Sequence, residues 1–443
     1  MEIYFIPYEK IKTIDSTSPS ALVFVPAAEY VIDAYISCIW TRRYGSYYDF
    51  QIQIPATERN MSNIHMYDFV YRSKDRLPYT SQLEEDLGIP PVKNVMMIEK
   101  IEIEDNDDKH IMTISGRGVE AVFARMIMWT KATQQGKLKS VINSLLLQNG
   151  IYANVFDTEY REYWANVRYQ CQQSGDYTDY IPNSCRHMDI DLVYDNDDIK
   201  PYDNDILCDT VNDYLGDTLT QILKPLGMYW YFYFSPANAI HIDSSGTWKE
   251  YGWKIELHIR DSWKHANLTE NSYDVLFAKD NGTLLSSKYT EDSTQSFNCG
   301  QILGEGTGVD QIRVAYPYAT GTALTDAQPR LFNRHESIVD NSSYTADTIV
   351  LVDQYKQLLV QNTEYQAVKN NGQSMEVELN LINSLYVYGD DDADNGYDIG
   401  SVVGFKTETG IMATARLVEM IESEDENGTK LTPTFDEWEF KTS

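Results

Sequence analysis

Basic residues are scarce in this chain: 36 Lys and Arg stand against 67 Asp and Glu over 443 residues, a formal net charge of −31. A surface of that sign repels phosphate, which excludes backbone-driven nucleic-acid binding unless basic side chains gather locally. The densest basic cluster is only the pair Arg42-Arg43. Cysteine is sparse too. The five, at 38, 171, 185, 208 and 299, are odd in number, widely spread and never in CxxC spacing. That supports neither a disulfide framework nor a zinc site and is the pattern of free thiols made in a reducing cytoplasm. Nowhere do about 18 apolar residues follow one another. The amino terminus alternates (EIYFIPYEKIKTI) without a basic region leading into an apolar one. Neither signal-directed export nor a membrane-spanning segment is therefore expected.

Catalytic signatures are missing as well. There is no HExxH, since His335-Glu336 lacks the second His, and no GxSxG elbow. Carboxylates are so numerous that sequence proximity nominates no pair for acid–base work. Gly304-Glu-Gly306-Thr-Gly308 has the glycines of a phosphate loop, but the residues after it read as a strand, so the helix N-terminus that cradles phosphate is absent and a loop between strands is expected. Asp390, Asp392 and Asp394 stand at calcium-loop spacing. Their glycine, Gly396, falls one position late, and Ser401 occupies the place of the bidentate Glu, so a solvated acidic hairpin tip is favoured and calcium stays open. Cys185-Arg-His187-Met-Asp189-Ile-Asp191 reads as alternating acids on a strand edge rather than a ligand set. The expectation is a protein that is not an enzyme, with no cofactor and no metal.

What the chain does have is tyrosine, 33 residues, and 42% hydrophobic content, enough for roughly two to four domains with aromatic, half-buried sheet faces. To about Ile114 the pattern has period two (EIYFI, ALVFV, YVIDAYISCIW, DFQIQI). VMMIEKIEIE and KHIMTIS flank the polar turn Asp105-Asn-Asp-Asp108 and predict a hairpin. After Gly118 the period turns helical in VEAVFARMIMW and LKSVINSLLLQNG, the latter stopping at Asn149-Gly150. A long polar passage rich in Asp and Tyr runs from Asp157 to Asp205. DTVNDYLGDTLTQILKPLG then predicts a helix whose apolar face holds Val211, Tyr214, Leu215, Leu219, Ile222 and Leu223, with Asp209 or Thr210 as cap. GMYWYFYF and AIHID predict a strand pair around Ser235-Pro236-Ala237-Asn238. From Tyr273 strands return, interrupted by a predicted helix within residues 347–371, and Asn427-Gly428 predicts the last hairpin turn.

The most pointed local feature is ISCIWTRRYGSYYDFQIQIP, residues 36–55. It resembles a signature of the tail-tip hub proteins of long-tailed bacteriophages, the tail-associated (Tal-like) family: a strand ending in Trp-Thr-Arg-Arg-Tyr, a bend, then Asp-Phe and an alternating strand closed by Pro. Those positions here are Trp40, Thr41, Arg42, Arg43, Tyr44, Asp49, Phe50 and Pro55. Three further stretches are similar and fall in the same order. They are Ser115-Gly-Arg-Gly118 with Arg125 after it, Val275 to Phe277 followed by SSKYTEDSTQSFN, and Tyr397-Asp-Ile-Gly400-Ser through Ala415-Arg416-Leu-Val-Glu419 to Pro433-Thr-Phe435. The chain departs from the pattern at Tyr48, where a small residue is expected, and in residues 157–205.

The resemblance implies a mainly β fold with an α/β insertion: two tube-like β-barrel domains and an α/β domain, as in phage tail hubs. The expected division is a first barrel over 1–125, an α/β domain over 126–265, the first part of a second barrel over 266–345, and a helix with completing strands over 346–443. The implied role is a structural virion protein at the distal end of the tail, made in the bacterial cytoplasm. It would close the tube as a homotrimer, adapt six-fold tube to three-fold tip, and open for genome ejection. Implied partners are the distal tail (tube-end) protein, tail tube and tape-measure proteins, and tail fibre or receptor-binding proteins, with DNA only in transit. Trp40, Arg42, Arg43, Tyr44 and Asp49 are the interface candidates, the arginines pairing with a neighbouring subunit. The competing expectation is an ion pair within the hairpin. Alternatives of other classes are a tail-associated peptidoglycan hydrolase and a receptor- or glycan-binding tail protein.

Overall fold

The computed structural model describes residues 1–7, 11–13, 22–24, 30–79, 90–106, 109–128, 132–152, 158–175, 188–194, 205–210, 214–223, 226, 228–243, 246–261, 275–292, 294, 297–316, 334–342, 359, 373–382, 385–389 and 395–441. The protein is mostly β. It forms two compact units, one of residues 1–262 with 419–433, the other of 263–418 with 434–443. The strand Met412–Asp425 contributes its first half to the second unit and its last half to the first.

In the first unit, residues 419–425 begin a sheet that continues through Ser37–Arg43, Asp49–Pro55, Lys109–Gly118, Met96–Asn106, Phe69–Arg72 and Ile3–Ile6 to Tyr30–Ile32. Among the described residues it does not close on itself. The predicted hairpin is there, Met96–Asn106 against Lys109–Gly118. Ile3–Ile6 and Phe69–Arg72 are buried at every position because each separates two cores. Ile3, Phe5 and Val70 join Trp40, Phe50, Ile52, Ile54 and Ile114 on one side, while Tyr4, Ile6, Phe69 and Tyr71 pack with the helices on the other. At about 25 cal/mol per Å² of apolar area, double-sided burial makes such strands the hardest to perturb.

The helical core contains Leu138–Gln148, whose stop is as expected: Asn149 caps it and Gly150 takes φ +74°. Thr158–Ser174 is a helix in the long polar passage, to which the sequence pattern assigns no element, its sequence being too polar for a marked apolar face. Three expectations need correction. The third helix runs Leu215–Leu223, so Asp209 and Thr210 do not cap it but end the strand Asp205–Thr210, and Tyr214 is 44% exposed rather than on the buried face. Val119–Arg125 is a 3-10 segment rather than the start of an α-helix. Residues 235–238 make no turn: Met228–Asp243 is one strand paired with Gly246–Asp261 along its length. Among the described residues that strand has a neighbour on one side only beyond Phe234, where the missing N–H of Pro236 costs least.

In the second unit Leu276–Ala278, Val402–Lys406 and residues 412–416 form neighbouring strands, while in the first unit Gly428 (φ +113°) turns the final hairpin at the predicted place. Cys299–Leu303 pairs with Arg313–Tyr316 and Glu336–Asp340, so the glycine-rich segment 304–308 is a loop between strands. The helix predicted within 347–371 lies outside the described residues except for buried Leu359, and Asp390, Asp392 and Asp394 lie outside them entirely. No helix among the described residues is long and apolar enough to cross a membrane.

Candidate functional site

The strand Ser37–Arg43 pairs antiparallel with Asp49–Pro55, Trp40 facing Phe50 and Thr41 facing Asp49. Period two sends Cys38 and Trp40 inward, and Trp40 is fully buried with its ring 5.3 Å from that of Phe50. The same alternation sends Arg42 inward. It is 5% exposed, its guanidinium 5.6 Å from the centre of the Tyr48 ring. Tyr48, where a small residue is expected, thus covers Arg42. Tyr44 is buried against Tyr229 at 5.4 Å. Arg43 turns outward, donating to Asp49 and, at 2.7 Å, to Glu419. Within the chain, then, the pairing of Arg43 is local with Asp49 and long-range with Glu419, directly opposite it in the register.

Beneath Trp40 lies a charge cluster that sequence reasoning missed. The Arg72 guanidinium is 4.5 Å from the Trp40 ring centre. It donates to Asp75 at 2.7 and 3.0 Å and pairs with Glu422 at 3.2 Å. Asn94 adds a bond to Asp75 at 2.8 Å, and Lys74 closes on Glu422. Arg72, Asp75 and Glu422 are each no more than 5% exposed. Burial alone would raise both carboxyls, but Arg72, helped by Asn94 and Lys74, holds them below the usual carboxylate range. Residues 72 and 422 are distant in sequence, so no local spacing announces them; the only available signal was charged residues inside strongly alternating strands.

The Ser115-Gly-Arg-Gly118 stretch owes each residue to a contact. Between Ser115 and Gly116 the register slips against the Met96–Asn106 strand, and a Cβ at Gly116 would lie 1.9 Å from the Met97 carbonyl oxygen. Arg117 clamps Glu99 at 2.6 and 3.0 Å, and Arg125 pairs with the same carboxylate. A Cβ at Gly118 would sit 2.2 Å from Glu120 Oε2. The outward side of these strands carries an open cleft of about 370 Å³ lined by Ile39, Asp49, Gln51, Glu99, Lys100 and Arg117. Its lining carboxylates Glu99 and Asp49 are already paired within the chain, with Arg117 and with Arg43 respectively.

Among the described residues no three His, Cys, Asp or Glu side chains gather as a metal would require; Cys185 and His187 lie outside them. Burial pushes the Cys38 thiol up to about 11, so it packs rather than reacts. The third stretch of resemblance is likewise a joint of the fold. Asp398 and Ser401 exchange hydrogen bonds (3.0 and 3.1 Å), and Arg416 reaches the Gly400 carbonyl at 2.8 Å and Glu437 at 2.7 Å.

Three solved structures are similar at low identity. They are a 43 kDa tail protein of prophage MuSo2 from Shewanella oneidensis (11% identity, 98% of each chain covered, TM-score 0.48), a tail protein from Neisseria meningitidis (10%, 93% of this chain and 94% of that one, 0.46), and prophage tail protein gp18 from Listeria monocytogenes (9%, 98% and 94%, 0.48). At these TM-scores no residue role is carried over from them. No curated protein matches. A sequence profile of the family described as Siphovirus ReqiPepy6 Gp37-like protein matches residues 28–435, beginning ahead of Trp40 and ending at Phe435. The chain belongs to the Siphovirus ReqiPepy6 Gp37-like protein family and is a phage tail protein of the siphovirus type.

Proposed function

We propose that the protein is the hub of the tail tip: three copies close the distal end of the tube, adapt its six-fold symmetry to a three-fold tip, and open for genome release. The observation that carries this reading is that stretches resembling tail-tip hubs recur in order along the chain and that three of them serve as joints of the fold. Those joints are the Trp40–Arg43 strand end, the Gly116–Gly118 bulge and the Asp398–Ser401 turn. In such a ring each tube-like part would sit beside a neighbour, and a trimer would carry formally 3 × −31 = −93, a charge past which DNA moves without adhering. The partners that fit are the tube-end protein, tube, tape-measure and fibre proteins.

Of the interface candidates, Trp40, Arg42 and Tyr44 are interior and would hold the strand end rigid. Arg43 and Asp49, with side chains 32% and 42% exposed, are the pair a neighbouring subunit would meet. Arg43→Glu is therefore expected to leave the chain folded while cutting the yield of complete tail tips at least tenfold, scored by electron microscopy of assembling particles. Full tips and normal infection would reject the contact, and a misfolded isolated chain would show that the pair serves only its own hairpin. The hydrolase alternative predicts a clearing band on a peptidoglycan zymogram; none is expected.

A further inference from the structure

We propose that Glu120 is a proton-operated latch that couples the end of the Ser37–Arg43 strand to the Met228–Asp243 strand through the ionisation of its buried carboxyl. Glu120 is 2% exposed in the segment Val119–Arg125. Its Oε1 accepts the Phe232 backbone N–H at 3.3 Å, and its buried Oε2 has no hydrogen-bond partner among the described residues. That second oxygen lies over Gly118, whose missing side chain makes the room.

Among the described residues the groups around it are few. From Ser37–Arg43 comes Arg42, buried and opposite in charge, and from the turn after it Tyr48. From Met228–Asp243 comes the Phe232 amide, whose neighbours Tyr231 and Tyr233 are turned to His258 on the other face. Asp217 of Leu215–Leu223 is on that helix's exposed side, and Arg125, on the segment itself, is engaged with Glu99. Burial pushes the Glu120 carboxyl up to about 7, and the backbone amides of Glu120 and Phe232 together with Arg42 offset only part of that.

The coupling therefore has two states near neutral pH. Below the midpoint the carboxyl is neutral and keeps its bond to the Phe232 amide. Above it, a charge appears in a dry interior facing Arg42, drawing the strand end toward Val119–Arg125 at a net cost, because desolvation outweighs the attraction. The sign follows: the folded chain binds this proton more tightly than the unfolded one, so the stabilisation is fully present below the ordinary Glu range and is lost as pH rises through about 7. Because the strand end carries Arg43, hub assembly would share the midpoint; that consequence rests on the hub reading, whereas the latch is tested on the isolated chain.

The test is a titration of the whole protein labelled at Glu carboxyl carbons, followed by NMR from pH 5 to 9 together with the amide shifts of residues 40–44 and 230–234. The expected result is a Glu120 midpoint near 7 shared by those amides, absent from Glu120→Gln, and moved upward in Arg42→Met. A wild-type Glu120 midpoint in the ordinary carboxyl range overturns the proposal without any variant. So does a titration of the amides that survives in Glu120→Gln.

Discussion

Arg72→Met should destabilise the first unit by about 3–5 kcal/mol, the cost of leaving a buried carboxylate without its partner. Arg72 serves both Asp75 and Glu422 and lies over Trp40, so its loss strands two acids and empties one face of the indole. Lys74 would remain on Glu422, and Asn94 on Asp75, but neither supplies a planar fork to both. Urea unfolding followed by tryptophan fluorescence measures the effect. Arg43→Met, at a part-exposed pair, is the comparison and should cost no more than about 1 kcal/mol. Equal costs would mean that the buried cluster is no stronger than a surface bridge. Acid supplies a second reading. Asp75 and Glu422 are both held below their ordinary values, so their contribution is present above the usual carboxylate range and is lost as the pH falls through and below it. Arg72→Met should therefore flatten the acid limb of the stability curve. Replacing all three by apolar residues should recover much of the loss, because no buried charge is then left unpaired.

Gly116→Ala should cost about 3 kcal/mol, large for one methyl group, because the methyl meets backbone. Its Cβ would lie 1.9 Å from the Met97 oxygen and 2.9 Å from the Glu99 nitrogen, atoms fixed by the two strands they belong to. Relief requires the register slip at Ser115/Gly116 to open, which would pull Glu99 away from Arg117 and Arg125. Thermal unfolding reads the loss. Gly118→Ala collides instead with the far end of the Glu120 side chain, so it should cost less than Gly116→Ala and should disturb the titration near pH 7. If Gly116→Ala melts like the wild type, the bulge is soft, and the glycine answers to something other than this contact.

Local pattern determined a good deal by itself. Alternation and turn residues are enough to specify the Met96–Asn106 and Lys109–Gly118 hairpin, the stop at Asn149-Gly150, the turn at Gly428 and the strand character of the glycine-rich loop's neighbours, because each depends on residues a few positions apart. The same reasoning picked out Trp40 and the two arginines, since a tryptophan and adjacent cations are conspicuous in an acidic chain. It went astray where local preference was overruled. Ser235-Pro236-Ala237-Asn238 has turn chemistry, yet a sixteen-residue partner strand holds it extended. What tertiary structure alone decided is which charges meet. Nothing near Arg43 in sequence points to Glu419, nothing near Arg72 to Glu422, and nothing near Glu120 to Phe232. Those partners are set by how segments more than a hundred residues apart pair and pack, which follows from how whole faces bury, a property no short window of sequence contains.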